Sequence, residues 1–419
     1  MSDFSAQVFQ NPYLPENGEH VNAVLTIQCS AVQNRPDPLT LGAIIDCSGS
    51  MGEGRRIQQA KKAVAALIEV LPEAAHFFVI AGNHEAQLVV PSGPATAQNK
   101  VMALSGLQAI NATGGTAVSQ WLHAARAQFR SSRPGIHRAV LLTDGKNDNS
   151  DPLDQVLAEC AGQFQVDARG VGLDWQPDQL RKIAEKLLGS VDIVADPDHL
   201  QADFLGILKS ALGKAIAEVK IRLWTPQGAK VEFLKLVSPE ISDITPLART
   251  DPAQPQIQEY PTGAWGKETR DYHLCLRVKP GKVGQRMLAG RVTVLTVLNG
   301  QEAKLAEAQV LAEWTDDEAR STLINNQVAH YTGQAQLAQS IQEGIQAQRN
   351  GDVDLATTKL GLAYKLAQDS GNEETTRLLK KVVDVIDPER GTVRLKSSID
   401  HADAMTLDTR STRTRRIEK

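Results

Sequence analysis

The sequence predicts an α/β protein with added β and α parts: a doubly wound parallel-sheet domain inserted in a β-sandwich, followed by a small helical bundle and a flexible tail. Three observations carry this reading. Between residues 39 and 213, short apolar runs alternate with segments of helical periodicity. On either side, at 6–32 and 215–315, apolar residues recur instead at period two. From residue 316 the texture turns helical, and past Pro388 it turns polar.

Residues 1–38 supply the first sandwich strands. Val21, Ala23, Leu25 and Ile27 alternate with more polar neighbours, as a half-buried strand requires, before the breaker-rich Gln33-Asn34-Arg35-Pro36-Asp37-Pro38. The domain at 39–213 opens with a continuous apolar run at 41–45, and helical spacing follows over 57–71. Strand candidates at 76–82 and 86–90 lead to helical patterns near 97–107 and 118–129, then a fully apolar strand at 139–143. Helices at 153–163, 178–188 and 200–212 alternate with strands at 166–173 and 191–194. Short strands apolar on both faces and separated by helices imply a parallel sheet. Residues 214–315 return to strand texture at 218–224, 231–237, 271–278, 288–298 and 305–314, completing the sandwich. Residues 316–387 predict three antiparallel helices, with sharp turns at Asn350-Gly351-Asp352 and Ser370-Gly371-Asn372-Glu373. Their glutamines offer either packing, the default, or a partner surface. Residues 388–419 show no packing face and read as a flexible tail.

Composition narrows the function. With 42% hydrophobic and 22% charged residues the 419-residue chain is ordinarily globular. A net charge of -4 and a pI near 6.2 argue against nucleic acid as a partner, and 4% aromatics leave little for base stacking. No run approaches the length of a membrane span, and residues 1–15 lack the apolar core of a secretory signal. Cys29, Cys47, Cys160 and Cys275 are scattered without a CxxC pair, which suits reduced thiols; a cytoplasmic setting is expected.

The chemistry concentrates where apolar strands end. Ile44-Ile45-Asp46-Cys47-Ser48-Gly49-Ser50-Met51 closes the first strand of the α/β region. In an open parallel sheet the loops at carboxyl strand ends form the binding crevice. Asp46, Ser48 and Ser50 alternate there and can turn three oxygens toward one point. Thr113-Gly114-Gly115-Thr116 precedes a helix, and Leu141-Leu142-Thr143-Asp144-Gly145 ends another apolar strand. Two carboxylates and three hydroxyls make an all-oxygen set suited to Mg²⁺ or Mn²⁺ and ill suited to Zn²⁺. With Ser48, Ser50 and Thr116 as direct ligands and Asp46 and Asp144 behind them, the ion stays electron-poor and attracts a partner's carboxylate.

The D-x-S-x-S at Asp46, the later Thr116 and the T-D-G at Asp144 resemble the metal ion-dependent adhesion site (MIDAS) of von Willebrand factor A domains, over roughly residues 39–213. The resemblance implies a doubly wound sheet and a non-enzymatic site that captures an exposed Asp or Glu of a protein partner. The Gly49 to Gly54 turn has no phosphate-loop spacing. Catalysis would need a positioned base, and the three motif loops contain no His or Glu; His76 and His137 open strands at the opposite edge, and His84 and His123 read as surface or packing residues. The stretch from Lys146 to Asp151 either rims the site or ends in an N-cap before Leu153.

In the tail, hydroxyls alternate with arginines, so Thr409, Thr412 and Thr414 are candidate phosphorylation sites. The layout is similar to bacterial von Willebrand A proteins associated with Ser/Thr kinases, metal-dependent (PP2C-type) phosphatases and forkhead-associated (FHA) domains. The expected function is a Mg²⁺-dependent binding scaffold in bacterial intracellular signalling. The alternative is an accessory subunit coupling an AAA+ ATPase to its substrate, as some relatives of this family do.

Overall fold

The structure, a computed structural model, describes residues 3–32, 36–145, 147–148, 150–172, 175–298 and 300–416. Part of the expected linker (33–35), Lys146 and Asn149 of the stretch from Lys146 to Asp151, and the end of the 166–173 strand lie outside the described residues. The chain divides into two compact units, one of residues Asn34–Glu218 with Gly263–Gly266, the other of the remainder.

The first unit holds a six-stranded sheet. Its strands are β1 (Leu39–Asp46), β2 (His76–Gly82), β3 (Ala86–Pro94), β4 (Ile136–Thr143), β5 (Gln165–Val171) and β6 (Val191–Val194), in the spatial order β3-β2-β1-β4-β5-β6. Every residue of β1 is buried, as a central strand covered on both faces must be. Gly42 is dictated by packing: a Cβ there would lie 2.4 Å from the Phe78 ring. The helices are α1 (Arg56–Val70), α2 (Ala97–Ala109), α3 (Val118–Ser131), α4 (Leu153–Cys160), α5 (Pro177–Lys186) and α6 (Leu200–Leu212). One face of the sheet packs Leu41, Ala43 and Ile45 against Ala60, Val64 and Leu67 of α1 and Phe204 and Ile207 of α6. On the other, Phe78 meets Phe129 of α3 edge-on at 4.8 Å. The parallel expectation is corrected at one edge: β3 runs antiparallel to β2, because the three residues between them are too few for a crossover.

Two segments extend this unit past the 39–213 read from the pattern. Lys214–Ile216 pairs with Trp265–Gly266, and the Gln165 side chain accepts from Ala264 N at 3.1 Å. A Cβ on Gly266 would fall 2.0 Å from Gly213 O, so only glycine permits that approach. Asp37 N donates to Ala215 O at 2.9 Å and Ala217 N to Asp37 Oδ2 at 2.7 Å, clasping the points where the chain enters and leaves.

In the second unit, Asp3–Gln10, His20–Ala31, Glu268–Arg277, Lys230–Ser238 and Ser242–Asp243 make one sheet. Arg249–Thr250, Ile257–Pro261, Val219–Trp224, Arg286–Leu298, Gln301–Thr315 and Tyr13–Pro15 make the other. N-terminal strands thus join both sheets, as a sandwich interrupted by an insertion requires. The sheets meet face to face where Gly290 makes room for Leu276.

After a single short turn of helix at Glu318–Ser321, four longer helices follow among the described residues: α7 (Asn326–Arg349), α8 (Val353–Asp369), α9 (Glu373–Val382) and α10 (His401–Arg410). Asn325, Asp352, Asn372 and Asp400 each accept a backbone N–H at a helix start. The flexible tail expected over 388–419 is corrected for residues 388–416, and 417–419 lie outside the described residues. Val383–Asp387 and Thr392–Leu395 form a hairpin, and Val393, Ala404 and Leu407 join the core of Ile341, Leu360 and Leu379. The polar look of the segment misled because its charges are paired: Arg349 meets the buried Asp408 at 3.0 Å, and Arg416 meets the buried Asp271 at 3.1 Å. Beyond α10 the chain lies against the sandwich, with Ile241 N donating to Thr412 O at 2.8 Å and Thr414 Oγ1 to Val237 O at 2.6 Å. Gln334 and Gln342, two of the glutamines left between packing and partner binding, hold this strap.

Candidate metal centre

The order β3-β2-β1-β4-β5-β6 reverses direction between β1 and β4, and the crevice of a doubly wound sheet opens at that point, beyond the carboxyl strand ends. Asp46 is the last residue of β1, and Asp144 follows the last residue of β4. Three loops are fixed there by backbone bonds. Cys47 N donates to Gly82 O and Thr113 N to Cys47 O, each at 2.7 Å; Gly49 N donates to Gly114 O and Asp148 N to Thr116 O, each at 2.9 Å. Gly114 is left-handed (φ 79°) and faces the His84 ring, so no side chain fits at that turn. His84 therefore packs against the second loop.

The five expected residues come together. Asp46 and Asp144 are fully buried, and Ser48 nearly so. Asp46 Oδ1 accepts from Ser48 N at 2.7 Å, and Oδ2 accepts from Thr143 Oγ1. Ser48 Oγ lies 3.2 Å from Ser50 Oγ, which donates to Asp144 Oδ1 at 2.7 Å. A Cβ placed on Gly145 would sit 3.2 Å from Thr116 Oγ1, 3.7 Å from Ser50 Oγ and 3.9 Å from Asp46 Oδ2. Oxygens from three loops thus face one cradle kept open by a glycine, and this donor set fits a hard divalent cation.

Burial pushes the Asp46 carboxyl up to about 6; bonds from Ser48 and Thr143 pull against that shift, and the neighbouring Asp144 adds to it. A carboxylate that is costly to ionise without a counter-charge suits a site that receives a cation. Burial also raises the Cys47 thiol, to about 11, so it offers no soft thiolate ligand near neutral pH.

Comparison with solved structures decides the family. The chain superposes on a von Willebrand factor type A protein from Catenulispora acidiphila with a TM-score of 0.94 and 41% identity, covering 99% of this chain and 98% of that one. The chain belongs to the von Willebrand factor type A family. Residues 41–204 match the von Willebrand factor type A domain, and residues 365–411 match the von Willebrand factor type A C-terminal domain. The ArnB paralog VWA2 from Sulfolobus acidocaldarius shares the fold, with a TM-score of 0.62 and 15% identity over 98% of both chains. The uncharacterized protein sll0103 of Synechocystis is 30% identical over 217 residues, 50% of each chain, so this chain spans about half the length of that curated relative. Von Willebrand factor type A domains are generally non-catalytic interaction modules that commonly bind a divalent metal.

Two residues that brace this cluster in the von Willebrand A domain were missed in the sequence. Thr143 lies inside the T-D-G run and braces Asp46. Arg56 places Nη1 2.6 Å from Asp144 Oδ2. The signal for Arg56 was a basic residue in the first turn of a helix, where the macrodipole disfavours a cation and a carboxylate partner is implied. In the loop after Asp144, Asp151 accepts from Ser119 N at 2.9 Å and Asn147 Oδ1 accepts from Val118 N at 2.8 Å. The loop therefore caps α3, just past Thr116, where the sequence suggested a cap before Leu153.

The tail threonines lie in the other unit. Thr409 and Thr412 are buried in the folded chain and Thr414 is half-buried. Among the described residues, no helix is long and apolar enough to cross a membrane.

Proposed function

We propose that this protein is a Mg²⁺-dependent binding scaffold that captures an acidic residue of a partner protein and acts in bacterial intracellular signalling in the cytoplasm. The observation that carries the reading is the convergence of Ser50, Thr116 and Asp46 oxygens on the open cradle at Gly145. Ser48, Ser50 and Thr116 would hold the ion through neutral hydroxyls, while Asp46 and Asp144 brace the Ser48 amide and the Ser50 hydroxyl from behind. When bound, Mg²⁺ (or Mn²⁺) supplies a Lewis-acidic position for a carboxylate oxygen. Asp46 fixes Ser48 through its amide, and Asp144 fixes Ser50 through its hydroxyl, so the donors are set before any ligand arrives. Such preorganisation reduces the ordering cost of binding.

The reading predicts that immobilised protein retains partners from a native lysate in Mg²⁺ and releases them in EDTA. The Asp46→Ala variant is expected to retain none, with its circular dichroism unchanged. Capture that survives both EDTA and this substitution refutes the proposal. A Ser/Thr kinase, a PP2C-type phosphatase or an FHA-domain protein among the retained proteins would support the signalling setting, whereas an AAA+ ATPase would favour the accessory-subunit role.

A further inference from the structure

Arg56 opens α1, and its guanidinium donates from Nη1 to Asp144 Oδ2 at 2.6 Å while Ser50 donates to Oδ1. Little water reaches the pair: the Asp144 side chain is fully buried and that of Arg56 is 16% exposed. Two local features direct the side chain there. Arg55 before it is left-handed (φ 65°), and a Cβ on Gly172 would lie 3.1 Å from the guanidinium carbon. A cation in the first turn opposes the helix dipole, so helix stability does not account for this placement.

We infer that Arg56 is a positioning residue that weakens cation binding by the protein alone and makes metal and anionic partner favour each other. The inference rests on the adhesion-site reading. The guanidinium ties Asp144 Oδ2 in a charge-assisted hydrogen bond, so that oxygen is less available to a cation or its waters. It also sets a positive charge beside a second positive charge in a region screened less than open solvent. A partner's carboxylate brings negative charge that offsets both. Metal therefore binds better with the partner present, and by reciprocity the partner binds better with metal.

The test is a Mn²⁺ titration of the full chain, followed by electron paramagnetic resonance, with acetate as the probe anion. Arg56→Gln and Arg56→Met are expected to bind Mn²⁺ roughly ten-fold more tightly than the wild type, as removal of one nearby like charge implies. Arg56→Lys, which keeps the charge, is expected to stay near the wild type. Acetate is expected to raise Mn²⁺ affinity in the wild type more than in the uncharged variants. Equal or weaker Mn²⁺ binding in both uncharged variants, at an unchanged melting temperature, overturns the inference. If the wild type and both uncharged variants bind Mn²⁺ no better than Asp46→Ala, the metal reading falls and this inference with it.

Discussion

At the scale of single residues, two buried groups give the protein opposite responses to mild acid. Asp46 ionises near pH 6 in the fold and near 3.8 in an unfolded chain, so the metal-free fold holds more protons than the unfolded chain between those values. Its contribution to stability therefore rises as pH falls from above 6 toward 4, by on the order of 2–3 kcal/mol. His273 runs the other way. Burial, and then Lys235, lowers it from 6.5 to about 4, so it stays neutral in the fold and charges on unfolding. That contribution is present above pH 6.5 and is lost as pH falls through 4. Urea midpoints between pH 4 and 7 are expected to lose the acid-side gain in Asp46→Asn and the acid-side loss in His273→Gln. At sub-saturating Mg²⁺, capture is expected to weaken as pH falls through the acid range, because a proton on Asp46 competes with the ion, and added Mg²⁺ is expected to restore it. Thr409 adds a third expectation: with its hydroxyl buried, incubation with a basophilic kinase should leave it unmodified unless α10 is first disrupted, as mass spectrometry would read.

At the scale of elements, the turn into α1 carries strain. Gly54 and Arg55 are consecutively left-handed, and only glycine takes that conformation without steric cost. Arg55 is largely exposed and makes a long ion pair to Asp198 at 4.0 Å. Arg55→Gly is expected to stabilise the protein by roughly 0.5 kcal/mol, the steric cost relieved less the backbone entropy that glycine adds. Chemical denaturation measures it. The same substitution loosens the support under Arg56. Elements of the α/β unit were readable where apolar runs and turn signals coincided, as in β1 with Asp46 at its end. The reversed edge strand β3 was not, because period and composition leave strand direction open. Site residues with a motif position were legible, whereas Arg56 was hidden because a charge run before a helix usually faces solvent. The strap after α10 was misread for a related reason: its arginines look solvated until Asp271 is placed beside them by a strand more than a hundred residues earlier in the chain.

At the scale of the whole chain, the last described residues stabilise the unit that begins with the first strands. Asp271 accepts from Thr26 Oγ1 at 2.6 Å and from Tyr331, and Arg416 adds a partly exposed charge. Arg416→Ala is expected to cost about 1 kcal/mol, since an exposed guanidinium is well screened. A chain ending at Ser411 should lose more, about 1 kcal/mol for each of the bonds made by Thr412, Thr414 and the Arg415 amide. Urea unfolding followed by tyrosine and tryptophan fluorescence distinguishes the two. The four residues Gly263–Gly266 have a different consequence, one for inheritance. They complete the unit that carries the candidate site's loops, yet they are encoded about 45 codons after Glu218. A recombination event that exchanged only the stretch for residues 34–218 would bring in new loops and leave behind Trp265, a fully buried ring, against a surface that never evolved to receive it. Shuffling of this domain between genes is thereby penalised unless both segments travel together, so its binding specificity is expected to diversify by substitution within the loops.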